Sequence, residues 1–348
     1  MLTQTMPGQV VITPASILET GLSFFSSKVL LTAVNLQLFT SLAESSKTAA
    51  EIKETLGLQE RGLYDFLDAL VALKFLYREG SGIEAKYCNT LETDVFLDKK
   101  KSSYVGGLLE MCNNRLFPFW NDLEEGLKTG LPQNEAKSHG AGIFEKLYED
   151  EAKLEEFMGA MTGVQRSNFI AFARSFDFSK YKTHVDVGGA SGELSIQIAT
   201  FNPSIHSTTY DLPPVARVAQ RNIDGAGIGE RVKTAIGNFF TDEFPKADII
   251  TMGNILHDWN LEEKKMLIKK AYDALPEGGA FIVIENIIDD ERKENAFGLL
   301  MSLNMLIETP GGFDYTAKDF AGWSKEAGFK EINKVPLAGP ASAMIAYK

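Results

Sequence analysis

Residues 183–194, Thr183-His184-Val185-Asp186-Val187-Gly188-Gly189-Ala190-Ser191-Gly192-Glu193-Leu194, decide the fold. An apolar run meets a glycine-rich turn and then a helical pattern, the order of a strand feeding a helix. Downstream, SIHSTTYDL (204–212), ERVKTAIGNFF (230–240), KADIITMGNIL (246–256) and AFIVIENII (280–288) read as further strands. Between the last two lies a charged amphipathic helix, NLEEKKMLIKKAYDAL (260–275). Strands alternating with helices at this spacing imply an α/β fold: a doubly wound, mostly parallel sheet with helices on both faces. The tail, FKEINKVPL (329–337) and SAMIAYK (342–348), supplies two more strands as an antiparallel edge hairpin.

Upstream the texture is different. Residues 15–45 place Ile17, Leu18, Leu22, Phe25, Val29, Leu30, Val34 and Leu38 at helical spacing. Phe24, Ala33, Leu36 and Phe39 occupy the other faces, so a helix from about Ser16 to Leu42 is expected to be buried in a core or against a partner chain. On a monomer it would leave Phe24, Phe25, Leu36 or Phe39 in water, so a homodimer is expected. Residues 47–90 then read as short helix, turn at Gly57, longer helix and a small hairpin around Gly80-Ser81-Gly82, the outline of a winged helix. Residues 103–175 are largely helical, interrupted by a polar stretch from Thr129 to Gly142. Three parts are expected: a winged-helix dimerisation domain (1–105), a helical connector contributing to an acceptor pocket (106–180) and a cofactor-binding catalytic domain (181–348).

The chain has 348 residues and a net charge of −12, from 35 basic and 47 acidic side chains. That acidity disfavours nucleic acid and anionic lipid as partners. The presumed recognition helix of the winged region carries Arg61 against Glu60, Asp65 and Asp68, which argues against a DNA-binding regulator. Two cysteines, Cys88 and Cys112, make neither a disulfide framework nor a cysteine-rich zinc site. No run approaches ~18 uninterrupted apolar residues and the N-terminus has no basic leader pattern, so a cytoplasmic protein without a membrane span is expected.

The turn after Asp186 is DxGxxxG. It matches neither GxGxxG nor GxxxxGK[ST], so no pyrophosphate cradle is present. A second acid, Asp211, ends the next strand 23 residues after Gly188, where a carboxylate takes a ribose diol. The pair points to a nucleoside cofactor without pyrophosphate, S-adenosylmethionine. Of the four histidines, His139, His184 and His206 read as structural or solvated. His257 follows the fourth strand of the sheet in ILHDW, at the carboxyl end where ligands sit in open α/β folds, and an imidazole there suits a general base.

In order, VDVGGASGEL, TTYDLPPV, GNFF, ILHDW, ALPEGGAFIVIEN and the NML…TPGG stretch resemble the S-adenosylmethionine-dependent O-methyltransferases of the caffeate and acetylserotonin type. The resemblance spans nearly the whole chain and implies that the winged region dimerises. It gives His257 the acceptor proton, with Glu285 and Asp314 orienting the base. The DxGxxxG turn puts Asp186, Gly188 and Gly189 at the cofactor, and the resemblance assigns Gly188 to its methionine side, Asp211 and Leu212 to ribose and adenine, and Asn238 and Phe239 to adenine. Two positions depart from the family: Asn238 stands where GDFF or GDMF has an acid, and Gly253 where some plant-type members have lysine.

For the acceptor, Met158, Met161, Met301, Asn304 and Met305 are expected to wall a pocket that Phe117, Phe119 and Trp120 cover. Asn304 is polar inside LLMSLNMLI and needs a partner if buried. With no second histidine near the expected pocket, no metal is assigned. The acceptor's identity, O- against C- or N-methylation, and drifted or non-methylating chemistry are left open by the sequence.

Overall fold

The computed structural model describes residues 12–101, 103–135, 137 and 151–348. His139 and much of the Thr129–Gly142 stretch lie outside them. By contacts the chain divides into two compact units, Met1–Asn113 and Asn114–Lys348.

The first unit opens with α1 (Ala15–Asn35). The expected single helix to Leu42 is broken at Gln37, whose left-handed backbone (φ 55°) starts a separate turn at Leu38–Ser41. The break rotates Leu38, Phe39 and Leu42 into the core, so Phe39 is buried rather than exposed. Leu36 is half-buried, while Ile17, Leu22, Phe24 and Phe25 stand in water. This helix is long and apolar enough to cross a membrane, so counting uninterrupted apolar residues does not by itself dispose of a span. Strand β1 (Lys47–Thr48) leads into α2 (Ala49–Leu56), started by a Thr48/Glu51 capping box and ended by left-handed Gly57. Next come α3 (Leu63–Ala72), β2 (Leu76–Glu79) and β3 (Lys86–Asn89), with β3 between the other two strands. This is the winged-helix outline.

The second unit is built on seven strands: β4 (Thr183–Val187), β5 (His206–Asp211), β6 (Val232–Ile236), β7 (Ile249–Gly253), β8 (Ala280–Glu285), β9 (Glu331–Pro336) and β10 (Ser342–Tyr347). Their spatial order is β6-β5-β4-β7-β8-β10-β9. All neighbours are parallel except the edge hairpin, where β10 runs antiparallel to β8 and β9. The long helices are α4 (Glu151–Ser175), α5 (Glu193–Phe201), α6 (Pro213–Gly225), α7 (Leu261–Ala274), α8 (Ala296–Glu308) and α9 (Ala317–Ala327). Strand alternation sends Phe281 and Val283 to one face, against Leu267, Ile268 and Phe320, and Ile282 and Ile284 to the other, against Phe172 and Leu194. Both faces are covered, as the near-continuous apolar strands require.

The topology fixes where a ligand can sit. The chain runs outward from β4 to β5 and β6, then returns to place β7 on the other side of β4. The strand order reverses between β4 and β7, and the carboxyl ends of these two strands open a crevice there.

Candidate active site

Val187 ends β4, and Gly188, at φ 70°, turns the chain at its carboxyl end. A side chain at Gly188 would lie 2.5 Å from Ile255 and 3.7 Å from the Phe239 ring, and one at Gly189 would lie 2.1 Å from Thr209 Oγ1. Only glycine therefore lets this turn close over β5. Asp211 closes the other side. Its Oδ2 accepts from the Ala190 amide (3.0 Å) and its Oδ1 from Leu212 (2.7 Å). Burial nevertheless pushes its carboxyl up to about 6 against those two bonds. Asp186 is more deeply buried, takes a 2.6 Å bond from Thr251 Oγ1, and is pushed up to about 7 by burial. Helix α4 packs over this turn: Thr162 Oγ1 meets Ser191 Oγ at 2.6 Å, and Phe157 and Met158 pack with Ala190, Leu212 and Val215.

The Asn238 side chain is engaged locally, its Oδ1 accepting from the Phe240 amide at 2.9 Å. The Phe239 ring lies edge-on to Trp259, 5.8 Å between centroids, on the crevice side of Gly188. Beside Gly253, where the resemblance puts a lysine in some members, the Phe169 ring fills the space, 3.3 Å from where a Cβ would be.

After β7, Asn254 takes a left-handed backbone (φ 52°) and its buried Oδ1 meets no protein partner among the described residues. A 3₁₀ turn then carries His257. Glu285, at the end of β8, does not reach the ring. Its Oε1 accepts from three successive amides of that turn: Ile255 (3.1 Å), Leu256 (2.8 Å) and His257 (3.3 Å). Asp314 does reach the ring, with Oδ1 3.4 Å from Nδ1, a charge contact longer than a formed hydrogen bond. On the opposite edge Asp258 Oδ1 lies 3.6 Å from Nε2, a neighbour that the sequence reading passed over although it stands inside ILHDW. The TPGG loop is held against this turn, since a side chain at Gly312 would fall 2.6 Å from the His257 carbonyl oxygen.

Burial alone would lower the His257 pKa. Asp258, Asp314 and Glu285 together outweigh it and raise it to about 10. Burial in turn raises the carboxyls of Glu285 and of Asp258, the latter to about 6.

Of the expected acceptor residues, Asn304 and Trp120 are brought together, with Trp120 Nε1 donating to Asn304 Oδ1 at 2.9 Å. This gives the polar residue of α8 its partner. Met161, Met301 and Phe117 are half-buried, whereas Met305 is buried and Met158 packs into the cluster with Val215 and Val218. Met158 is thus a core residue rather than a pocket wall. His184, inside the sheet between Ser207 Oγ (3.0 Å) and Thr251 Oγ1 (2.8 Å), is structural, as expected.

The sheet order with its antiparallel edge hairpin, and the glycine turn at the β4/β7 switch point, are those of the class I methyltransferase fold. The family model of the O-methyltransferase domain matches residues 120–330, and that of the O-methyltransferase dimerisation domain matches residues 18–99, including most of α1. The chain belongs to the S-adenosylmethionine-dependent O-methyltransferases, and its cofactor is S-adenosylmethionine. It is 37% identical to the tetracenomycin polyketide synthesis 8-O-methyl transferase TcmO of Streptomyces glaucescens, covering 96% of this chain and 97% of that one. It is 30% identical to the N,N-dimethyltransferase OxyT of Streptomyces rimosus, over 94% and 93%. The crystal structure of human N-acetylserotonin methyltransferase with S-adenosylmethionine superposes with a TM-score of 0.89 at 26% identity, covering 99% of each chain.

The residues present fit that cofactor. Asp211 keeps lone pairs beyond its two amide bonds, and burial leaves it short of the stabilisation that ribose hydroxyls would supply. The acids around His257 favour a cation beside them.

Proposed function

We propose that this enzyme methylates a hydroxyl, phenolic in character, of an aromatic or polyketide-like acceptor, with His257 as the general base. The observation that carries the reading is the placement of His257 at the β4/β7 switch point, its ring between Asp314 and Asp258 and its backbone held by Glu285. The aromatic polyketide acceptor is supported by the likeness to TcmO, an 8-O-methyl transferase of tetracenomycin polyketide synthesis.

S-adenosylmethionine supplies a methyl group already activated by its sulfonium. The protein's share is to hold, orient and deprotonate. Asp211, Leu212, Asn238 and Phe239 would hold the nucleoside, and Asp186, Gly188 and Gly189 the turn beside it. Met161, Met301, Met305, Phe117, Trp120 and Asn304 would shape the acceptor side. Holding two reactants in line accounts for most of the acceleration, since effective molarities reach ~10⁵ M or more.

His257 then removes the hydroxyl proton. Its raised proton affinity, about 10, matches that of a phenol, also about 10, so the transfer between them is close to balanced. A positive charge brought beside the ring lowers that affinity again and leaves the imidazole free to accept. Asp314 keeps Nδ1 as the protonated nitrogen and stabilises the imidazolium that forms.

The first unit serves as the dimerisation surface. Ile17, Leu22, Phe24 and Phe25 on α1 are exposed, together with a groove lined by Val71, Leu76, Tyr77 and Phe96. Apolar surface of this kind on a domain matched by the dimerisation family fits a homodimer.

Incubation with methyl-labelled S-adenosylmethionine and a panel of phenols, naphthols and aromatic amines tests the reading. Label is expected on hydroxyl oxygen of fused-ring phenols. Label on nitrogen alone would favour the chemistry named for OxyT, and no transfer to any hydroxyl would overturn the proposal.

A further inference from the structure

One buried charge has no part in that scheme. Helix α7 buries a stripe at Lys264, Leu267, Ile268 and Ala271, spacing that an amphipathic helix reserves for apolar side chains. Lys264 is 0% exposed. Its Nζ donates to the Trp259 carbonyl and stands 3.6 Å from the centroid of the Phe313 ring, with the Tyr315 ring at 5.9 Å. These contacts are a carbonyl and two ring faces, not a carboxylate oxygen. A lysine at a core position is costly, and an apolar residue of similar volume would be cheaper.

What the ammonium touches explains its place. Trp259 lies two residues after His257, and Phe313 immediately precedes Asp314. The acids facing His257 come from three elements: Asp258 on its own turn, Asp314 on the TPGG loop and Glu285 at the end of β8. The same three face Lys264, with Glu263 from its own helix.

We propose that Lys264 is a positioning residue for methyl transfer, its buried ammonium tying the His257 turn to the Asp314 loop and offsetting the acidic side chains that crowd the base. The proposal rests on the reading of His257 as the base. Burial draws the lysine down to about 8 against the pull of Glu285, Asp258 and Asp314, so it is charged at neutral pH. A cation near an imidazole lowers its proton affinity, and removing the cation raises it. The sulfonium of bound S-adenosylmethionine lowers the His257 affinity from about 10. On a limb brought below about 8 the lysine still carries its charge, so loss of that charge moves the limb to higher pH.

The test is the pH dependence of kcat at saturating S-adenosylmethionine for the full chain and for Lys264→Met, Lys264→Gln, Lys265→Met and His257→Ala. Gln keeps an N–H donor for the Trp259 carbonyl without the charge, and Lys265, paired with Glu326 at 2.8 Å on the surface, controls for net charge. Both uncharged Lys264 variants are expected to shift the limb up by about one pH unit, a tenfold loss on the limb, while Lys265→Met leaves it in place. A folded Lys264 variant with an unmoved limb, or an equal shift in Lys265→Met, overturns the proposal. If neither uncharged variant folds, Lys264 is purely structural and the proposal is equally overturned. A limb that persists in His257→Ala removes the base reading itself and the Lys264 proposal with it. A limb that vanishes there but stays fixed in Lys264→Met removes only the lysine's role.

Discussion

Asp314 Oδ1 stands 3.4 Å from His257 Nδ1, and both groups are almost wholly buried. The imidazole is thereby oriented from the edge away from Asp258, and Asp314 reaches the ring where Glu285 reaches only the backbone. The two acids that a family resemblance groups together thus do different work. Asp314 faces Nδ1 of the ring, and Glu285 accepts from the amides of the turn that carries it.

Replacing Asp314 with Asn keeps the shape and removes the charge. The kcat is expected to fall at least about tenfold, because the imidazolium loses a buried partner. The sign for pH follows from the same loss: Asp314 raises the His257 pKa, so the limb should move to lower pH in Asp314→Asn. A limb that stays fixed in a folded variant would take Asp314 out of contact with the base.

Asp211→Ala should weaken S-adenosylmethionine binding without unfolding the protein, since this carboxylate packs no apolar surface. In the wild type the affinity should also decline as pH falls through about 6, where the carboxylate gains a proton and stops accepting. Calorimetry across pH 5–8 checks both. Full affinity in the alanine variant would remove Asp211 from the site.

The assembly prediction concerns α1. The full chain is expected to sediment as a dimer at low micromolar concentration, burying more than the ~2,000 Å² at which obligate interfaces begin. Leu22→Glu with Phe25→Glu, both at exposed positions, should shift it toward monomer. A wild-type monomer that turns over would contradict this.

Much of the site was legible because the residues that make it lie at strand ends. The alternation of short apolar runs and helices is enough to place Gly188, Asp211 and His257 at carboxyl ends of strands. Asp314 could be found only by resemblance, because it sits in a loop whose approach to His257 depends on Gly312 passing close to the turn. Lys264 was hidden for another reason. Its spacing with Leu267, Ile268 and Ala271 puts it on the buried face, but a lysine in a charged helix reads by residue type as solvated, and the packing of Phe313 and Trp259 shows which of the two wins. The break at Gln37 was equally unreadable, since glutamine carries no signal for a left-handed backbone. Met158 looked like a pocket wall because core and pocket methionines share the same helical spacing.

His184 makes a prediction about stability. Thr251 spends its single hydroxyl proton on Asp186, so His184 Nε2 must donate to Thr251 and Nδ1 must accept from Ser207. Burial holds the ring neutral, lowering its pKa from 6.5 to about 3. Between those values the unfolded chain binds a proton that the folded chain refuses. This group's contribution is therefore whole above pH 6.5 and is lost as pH falls toward 3, on the order of a few kcal/mol. Thermal melts of His184→Gln should show a shallower decline of Tm over that range than the wild type. A parallel decline would mean that the histidine is not held neutral.

The measurement closest to the centre of the account is the single-turnover rate of His257→Ala beside its affinity for S-adenosylmethionine, with the preferred phenolic acceptor. General-base catalysis predicts a rate about 10²–10⁴-fold lower, with the dissociation constant for S-adenosylmethionine nearly unchanged and no rising limb with pH. A variant that transfers methyl groups at the wild-type rate near neutral pH would contradict the account, because the acceptor proton would then leave without His257.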